Sequence, residues 1–399
     1  MKNITRIFLW MLLTVCTACH ERELYTVVVS MDAFRWDYPY VCETPQMNAI
    51  ADKGVRCVME PSYPASTFPN HYTIATGLVP DHHGIVNNTF WNPDTQRLFS
   101  MGDSVTRFNP SYFLGEPIWV TAERQQVKTA SIYWVGSDVA IRNTYPTYCR
   151  FWNEKPRRLS FTERVDEVVR LLSLPKKERP LLTMLYFEEP DETSHHYGPL
   201  AKETKAVVHR LDSLTGQLYS RLKALPYGDR INLILTADHG MTDISDERFI
   251  CWDDYLKPSW YEHIVGACPT NIHAKPGCED SIMAALSGVE HIQVWRHGEM
   301  PAELNYGTSN RTGDIIVVPD LGWQFSDKPR GIPGAHGYSP KDRDMQVSFV
   351  AVGPSFKEGM KTKDCMFRNV DIYPMLAHLL RIHPAATDGS LDRTRFLRK

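Results

Sequence analysis

Thr26-Val-Val-Val-Ser-Met-Asp32 is the stretch on which the reading of the fold turns. It is a short, nearly continuous apolar run, rich in β-branched residues, that stops at a carboxylate. That length and composition make a buried strand and not a helix. The pattern returns twice. Leu182-Thr-Met-Leu-Tyr-Phe-Glu-Glu-Pro leads to Asp191 and His195, and Ile231-Asn-Leu-Ile-Leu-Thr-Ala leads to Asp238 and His239. Runs that are apolar throughout, with no alternation, are strands covered on both faces, as in a mostly parallel sheet. A fourth run, Met345-Gln-Val-Ser-Phe-Val-Ala-Val352, follows a loop, Pro333-Gly-Ala-His336-Gly-Tyr338.

Helical segments alternate with these strands. Thr44 to Lys53 reads as a short helix, with Pro45 in its first turn and Gly54 closing it, before a strand over Val55 to Met59. Asn70 to Thr76 reads as a helix ended by Gly77, Glu116 to Glu123 as another, and Thr129 to Trp134 as a strand. Phe161 to Leu172 places Val165, Val168, Val169 and Leu172 on one helical face. Thr204 to Leu225 repeats that spacing through Val207, Val208, Leu211, Leu214, Leu218 and Leu222. The expected fold is α/β, a mostly parallel central sheet with helices on both faces. About 251–330 differs, with short runs such as Ile292-Gln-Val-Trp and Ile315-Ile-Val-Val broken by Gly, Pro and Asn. It reads as a smaller inserted antiparallel region within one catalytic domain over 24–399.

Composition bounds the function. The chain of 399 residues is 43% hydrophobic and 23% charged, which is ordinary for a globular protein with a sizeable core. A formal net charge of -3 and the lack of a basic run argue against a nucleic-acid surface. Lys2 and Arg6 precede an apolar stretch, Ile7 to Cys19, that is too short to span a bilayer and reads as a signal peptide over 1–19. Two readings stay open: a lipoprotein anchored to the membrane through Cys19, or plain secretion. Either makes the protein exported, periplasmic or membrane-anchored, in a bacterium. Among the later cysteines, Cys268 and Cys278 bracket a short loop and are expected to pair. Beyond Cys19 no Cys-x-x-Cys occurs, which argues against a thiolate zinc site in the catalytic domain.

In open α/β sheets, ligands bind outside the carboxyl ends of the strands. Asp32, Asp191 and Asp238 stand just past three such ends. One such Asp would ordinarily be a turn or cap residue; three, two of them with a His in range, point to a site. Asp191 and His195 are four apart, so one helical turn puts both on one side and turns Glu192 and His196 elsewhere. Asp238 and His239 are adjacent, which requires a break in the strand at Gly240. His336 lies among small residues that let the backbone approach a crowded centre. Carboxylate plus imidazole suits zinc first, with manganese or iron as alternatives. Thr67, in Ser66-Thr-Phe-Pro-Asn-His-Tyr72, sits where a helix begins. A hydroxyl there, beside a metal, is a nucleophile, and the helix start favours a phosphate oxygen. Three carboxylates and two divalent ions leave a net charge of about +1, which favours an anionic phosphoester.

Thr67-Phe-Pro-Asn-His-Tyr, Thr76-Gly-Leu-Val-Pro-Asp-His-His-Gly-Ile85, Gly115-Glu-Pro-Ile-Trp119, Gly136-Ser-Asp138, Glu188-Glu-Pro-Asp191, Ala237-Asp-His-Gly240 and Ala335-His-Gly-Tyr338 together resemble the nucleotide pyrophosphatase/phosphodiesterase family of the alkaline phosphatase superfamily. The resemblance runs in order from about Val27 to Asp392, and the chain looks like a bare bacterial catalytic domain. It implies two zinc ions, one held by Asp191, His195 and His336, the other by Asp32, Asp238 and His239 with Thr67. It implies that Thr67 attacks phosphorus to form a phosphothreonine, and that Asn88 donates to a phosphate oxygen. It implies nucleotide or other phosphodiester substrates, with Phe68 and Tyr148 as aromatic contacts for a base.

The expected activity is therefore hydrolysis of nucleotide phosphodiester or phosphoanhydride bonds, releasing a nucleoside 5′-monophosphate. The alternatives are a diesterase of lipid or choline phosphodiesters and a phosphomonoesterase of the same superfamily. A monoester carries one more negative charge and calls for an extra cation. Neither Arg35 nor Lys53 is defined enough by sequence to supply it. A metal-stabilised binding protein would have no need of Thr67.

Overall fold

A computed structural model describes residues 23–399. The leader reading and Cys19 lie outside the described residues. Eight strands form the main sheet: β1 (Tyr25–Met31), β2 (Val55–Glu60), β3 (Thr129–Ile132), β4 (Tyr148–Arg150), β5 (Leu182–Phe187), β6 (Ile231–Thr236), β7 (Val347–Val352) and β8 (Met360–Arg368). Their order is β8-β2-β7-β6-β1-β5-β3-β4. β1 is buried along its whole length because it is central and covered on both faces. It pairs in parallel with β5 and β6, with Ser30 level with both Tyr186 and Thr236. The chain therefore leaves three adjacent strands at one height, immediately before Asp32, Asp191 and Asp238.

One strand runs against the rest. β7 is antiparallel to both β6 and β2, so the beginning of β7 lies at the end where its neighbours finish. That explains why His336 comes before an apolar run while the other metal-type ligands come after one.

The main helices are α1 (Pro45–Asp52), α2 (Thr67–Thr76), α3 (Ile118–Arg124), α4 (Phe161–Leu172), α5 (Asp191–Tyr197), α6 (Lys202–Lys223) and α7 (Ile372–Leu380). α4 begins at a reciprocal cap between Ser160 and Glu163 and buries Val165, Val168, Leu171 and Leu172. α2 starts three residues earlier than the apolar spacing predicts, at Thr67 itself, and ends at Gly77 in the left-handed conformation. α7 is buried on nearly all sides and so carries no amphipathic spacing to reveal it.

The smaller region is an antiparallel sheet of Tyr261–Val265, Thr270–Ala274, Ile292–Arg296 and Ile315–Pro319. A helix over Glu279–Leu286, not foreseen from the sequence, covers it. Ile272, Ile282, Leu286, Ile315, Val317 and Phe325 form its core. The expected Cys268–Cys278 pair is not formed; the seven cysteines among the described residues are all free. Cys268 packs with Ala65, Ala335 and Tyr338 beneath the His336 loop, whereas Cys278 precedes the helix on the small sheet. Among the described residues no helix is long and apolar enough to cross a membrane.

Candidate metal centre and nucleophile

The candidate ligands are held by identifiable local devices. Asp32 follows β1, and its Oδ2 accepts the Tyr186 hydroxyl of β5 at 2.6 Å. Glu189 accepts the N–H and hydroxyl of Thr193, fixing the first turn of α5. That turn brings His195 Nε2 to 3.4 Å from Asp191 Oδ1, and leaves Glu192 and His196 exposed. Gly334 sits so close to α5 that a Cβ there would lie 2.2 Å from the Ser194 carbonyl oxygen. This contact carries the His336 loop against α5.

The histidines share one arrangement. His195, His239 and His336 each place Nδ1 against a backbone carbonyl, of Gly334 at 2.8 Å, Gly240 at 2.8 Å and Ala65 at 3.0 Å. A carbonyl only accepts, so each Nδ1 carries the proton and each Nε2 turns a lone pair inward. Burial holds His239 down to about 3 and His336 well below its ordinary value, so both rings stay neutral.

The acids show the opposite strain. Burial, and then their neighbouring carboxylates, push Asp32 well above the usual range; burial raises Asp191 and pushes Asp238 up to about 8. Asp32 Oδ1, Asp191 Oδ1 and Asp238 Oδ2 are buried without a hydrogen-bond donor. His71 Nδ1 lies 3.2 Å from Asp238 Oδ2 but directs its N–H at the Thr67 carbonyl, at 3.0 Å. Orphaned, crowded carboxylate oxygens facing imidazole lone pairs fit divalent cations.

Two groups have ligand atoms within 4.8 Å of one another: Asp191, His239 and His336; and Asp32, Asp238 and His239. His239 thus stands between the two, its Nε2 3.4 Å from Asp32 Oδ1 and 3.2 Å from Asp238 Oδ2, its ring stacked on His336 at 3.8 Å. His195 flanks the first group through Asp191. Thr67 Oγ1 is 3.2 Å from His239 Nε2, at the first residue of α2. Asn88 Oδ1 accepts the Phe68 N–H at 2.9 Å, which leaves the Asn88 amide nitrogen as a donor.

The two aromatic expectations fare differently. Tyr148 opens β4 beside Ala130, near the start of β3, and its hydroxyl donates to the Glu178 carbonyl. That is the end of the sheet away from the ligands, and the structure does not bring Tyr148 to them. Phe68 is next to Thr67 but buried, packed near Phe99 at 6.1 Å and covered by the Arg107 guanidinium at 5.0 Å. Trp152, just past the other end of β4, is half-buried there: its ring lies 5.9 Å from Tyr186 and 4.9 Å from the same guanidinium.

Sequence reasoning also missed Tyr186 and His71. His71 was findable, being four residues beyond Thr67 on one helical face. Tyr186 lies inside an apolar strand, where its hydroxyl gives no pattern.

A family model described as type I phosphodiesterase / nucleotide pyrophosphatase matches residues 26–339. Human ectonucleotide pyrophosphatase/phosphodiesterase family member 5 is 34% identical over 369 residues, covering 91% of this chain and 76% of that protein. The chain belongs to this family. Venom phosphodiesterase 2 of Crotalus adamanteus is 34% identical over 393 residues, covering 94% of this chain and 48% of its own length. The chain therefore spans about half the length of the venom proteins it matches. The structure of murine ectonucleotide pyrophosphatase/phosphodiesterase 5 superposes with a TM-score of 0.88 at 32% identity, covering 94% of this chain and all of that one. The same murine protein is known as an inactive threonine-to-alanine form in complex with AMP.

Proposed function

We propose that this chain hydrolyses phosphodiester or phosphoanhydride bonds of nucleotides and releases a nucleoside 5′-monophosphate. The observation that carries the reading is Thr67 Oγ1 at 3.2 Å from His239 Nε2, at the head of a helix and beside two carboxylate–imidazole groups. The AMP complex of the murine relative supports a nucleotide as substrate.

Asp191, His195 and His336 would hold one zinc ion, and Asp32, Asp238 and His239 with Thr67 the other. Zinc bound there lowers the pKa of a hydroxyl and neutralises charge on phosphoryl oxygens. Thr67 Oγ attacks phosphorus; the bond to the leaving group breaks, and a phosphothreonine forms whose phosphate still carries the nucleoside. Water then attacks that phosphorus and frees Thr67. Asn88, aligned by its bond to the Phe68 N–H, donates its amide nitrogen to a phosphate oxygen, as an oxyanion hole does. Tyr186 and His71 hold Asp32 and the Thr67 carbonyl in place. The base rests against Trp152 beside Arg107, in place of Tyr148. We read 24–399 as one catalytic domain that acts outside the cytoplasm, following the leader at its start.

The monoesterase alternative needs a further cation at the phosphate. Arg35 is committed to Asp37 and Asp344, and Lys53 lies over the Tyr219 ring. Bis(p-nitrophenyl) phosphate should accordingly be cleaved much faster than p-nitrophenyl phosphate. Faster turnover of the monoester would overturn the diesterase reading, and the choline phosphodiester alternative is checked with glycerophosphocholine.

A further inference from the structure

The loop that carries His336 begins at a free cation. Arg330 is exposed, and among the described residues its guanidinium forms no ion pair and no hydrogen bond. Exposed arginines are common and are usually just solvated; this one is distinguished by where its backbone is held. Its N–H donates to Oε1 of the buried Gln324 at 3.0 Å. The next residues are fixed in turn. The Gly331 N–H donates to Asp246 Oδ1 at 3.2 Å, and the Pro333 carbonyl accepts the Ile244 N–H at 2.9 Å. The Gly334 carbonyl accepts from His195 Nδ1 at 2.8 Å, and the His336 ring follows two residues later. Arg330 therefore heads a fixed loop that wraps the Asp191, His195 and His336 group. The electrostatics agree. Burial raises Asp191 and Cys268 and lowers His336, and the Arg330 charge acts on all three, favouring the ionised carboxylate and opposing a proton on His336.

An in-line displacement at a two-metal centre holds the attacking oxygen on one side of phosphorus and the leaving oxygen on the other. Thr67 stands beside His239 and is grouped above with Asp32, Asp238 and His239. The leaving oxygen therefore falls to the side of Asp191, His195 and His336, which Arg330 flanks. With a nucleoside triphosphate, Thr67 Oγ attacks the α-phosphorus. The bond from that phosphorus to the bridging oxygen breaks, and pyrophosphate departs with the electron pair. A phosphate chain accepts charge-assisted hydrogen bonds, and a guanidinium fork can hold two of its oxygens at once. We propose that Arg330 selects the leaving group: it holds the charge of a departing pyrophosphate and favours phosphoanhydrides over diesters whose leaving group carries no phosphate. The selection acts at the site proposed above and rests on the nucleotide reading of it.

The test compares thymidine 5′-triphosphate with the p-nitrophenyl ester of thymidine 5′-monophosphate, on the zinc-loaded full chain. Both release thymidine monophosphate, so only the leaving group differs. In Arg330→Gln, kcat/KM for the triphosphate should fall about tenfold or more, as for one lost charge-assisted contact, while the ester keeps its rate. Arg330→Lys should recover part of the loss, because it keeps the charge without the fork. Pyrophosphate binding, read by calorimetry, is a second measurement apart from turnover, and its Kd should rise by a similar factor in Arg330→Gln. Equal losses on both thymidine substrates would make Arg330 a support of the His336 loop and overturn the selection. An unchanged triphosphate rate or unchanged pyrophosphate binding would overturn it too. So would a loss of rate on p-nitrophenyl phosphate, which would put the cation at the reacting phosphate. These results leave the nucleotide reading intact. Hydrolysis of bis(p-nitrophenyl) phosphate with no turnover of either thymidine substrate would overturn that reading and the selection with it.

Discussion

At the scale of single residues, the site depends on protons held where the backbone fixes them. Each inward Nε2 is made a lone pair by a carbonyl on the other ring nitrogen, and each orphan carboxylate oxygen is made costly by burial. Thr67 contributes only an oxygen to this arrangement. Thr67→Ala should therefore keep its zinc, read by metal content per chain, while kcat/KM falls by at least about 10⁴-fold. Full activity in that variant would remove Thr67 from the chemistry. A second residue sets a pH limit on stability. His83 is buried, accepts the Ile85 N–H on Nδ1 and bonds the Pro69 carbonyl through Nε2, and burial holds it down to about 3. The folded state thus binds its proton later than the unfolded chain, whose value is the ordinary 6.5. The stability it contributes is complete above that value and is lost as pH falls from there toward 3, at up to about 1.4 kcal/mol per pH unit. His83→Gln should flatten the acid side of a plot of unfolding free energy against pH; an unchanged slope would assign the loss to other groups.

At the scale of elements, position comes from where strands stop and which way they run. β1, β5 and β6 end level, so three carboxylates from distant parts of the chain share one edge. The fourth contribution comes from the reversed strand β7, whose leading loop must be pressed against α5. Gly334 allows that contact. Gly334→Ala puts a methyl 2.2 Å from the Ser194 carbonyl oxygen, and the loop has to withdraw from His195. The variant should lose about 1–3 kcal/mol of stability and bind zinc more weakly. Thermal unfolding and zinc titration check this; wild-type zinc affinity in the variant would show that the loop tolerates displacement. Trp152 belongs to the same scale. Tyr148-Cys-Arg-Phe-Trp152 offers several aromatics in five residues, and only the end at which β4 stops decides which of them reaches the catalytic edge.

At the scale of the whole molecule, the crowded carboxylates couple the site to global stability. They are buried together and raised by that burial, Asp32 and Asp238 further by the charge of Asp191, so a cation that binds the folded chain stabilises it. A chelator should abolish turnover and lower the melting temperature, and added zinc should restore both. At a hundredfold excess of zinc over its dissociation constant the gain is about 2.7 kcal/mol. An enzyme indifferent to chelation would refute the metal assignment. The strands, the α/β class and the candidate ligands were legible in the residues themselves, because burial on both faces leaves an unbroken apolar run and a carboxylate at its end breaks the pattern visibly. Thr67 was legible as a hydroxyl at a helix start among those ligands, whereas Asn88 and the division of ligands between two zinc ions came from the family resemblance and not from periodicity. What only the tertiary structure decided is which groups face one another. The central place of His239, the orienting bonds of Tyr186 and His71 and the retreat of Tyr148 in favour of Trp152 all depend on register, strand direction and side-chain packing. Those are contacts between distant segments, and no local spacing along the chain records them.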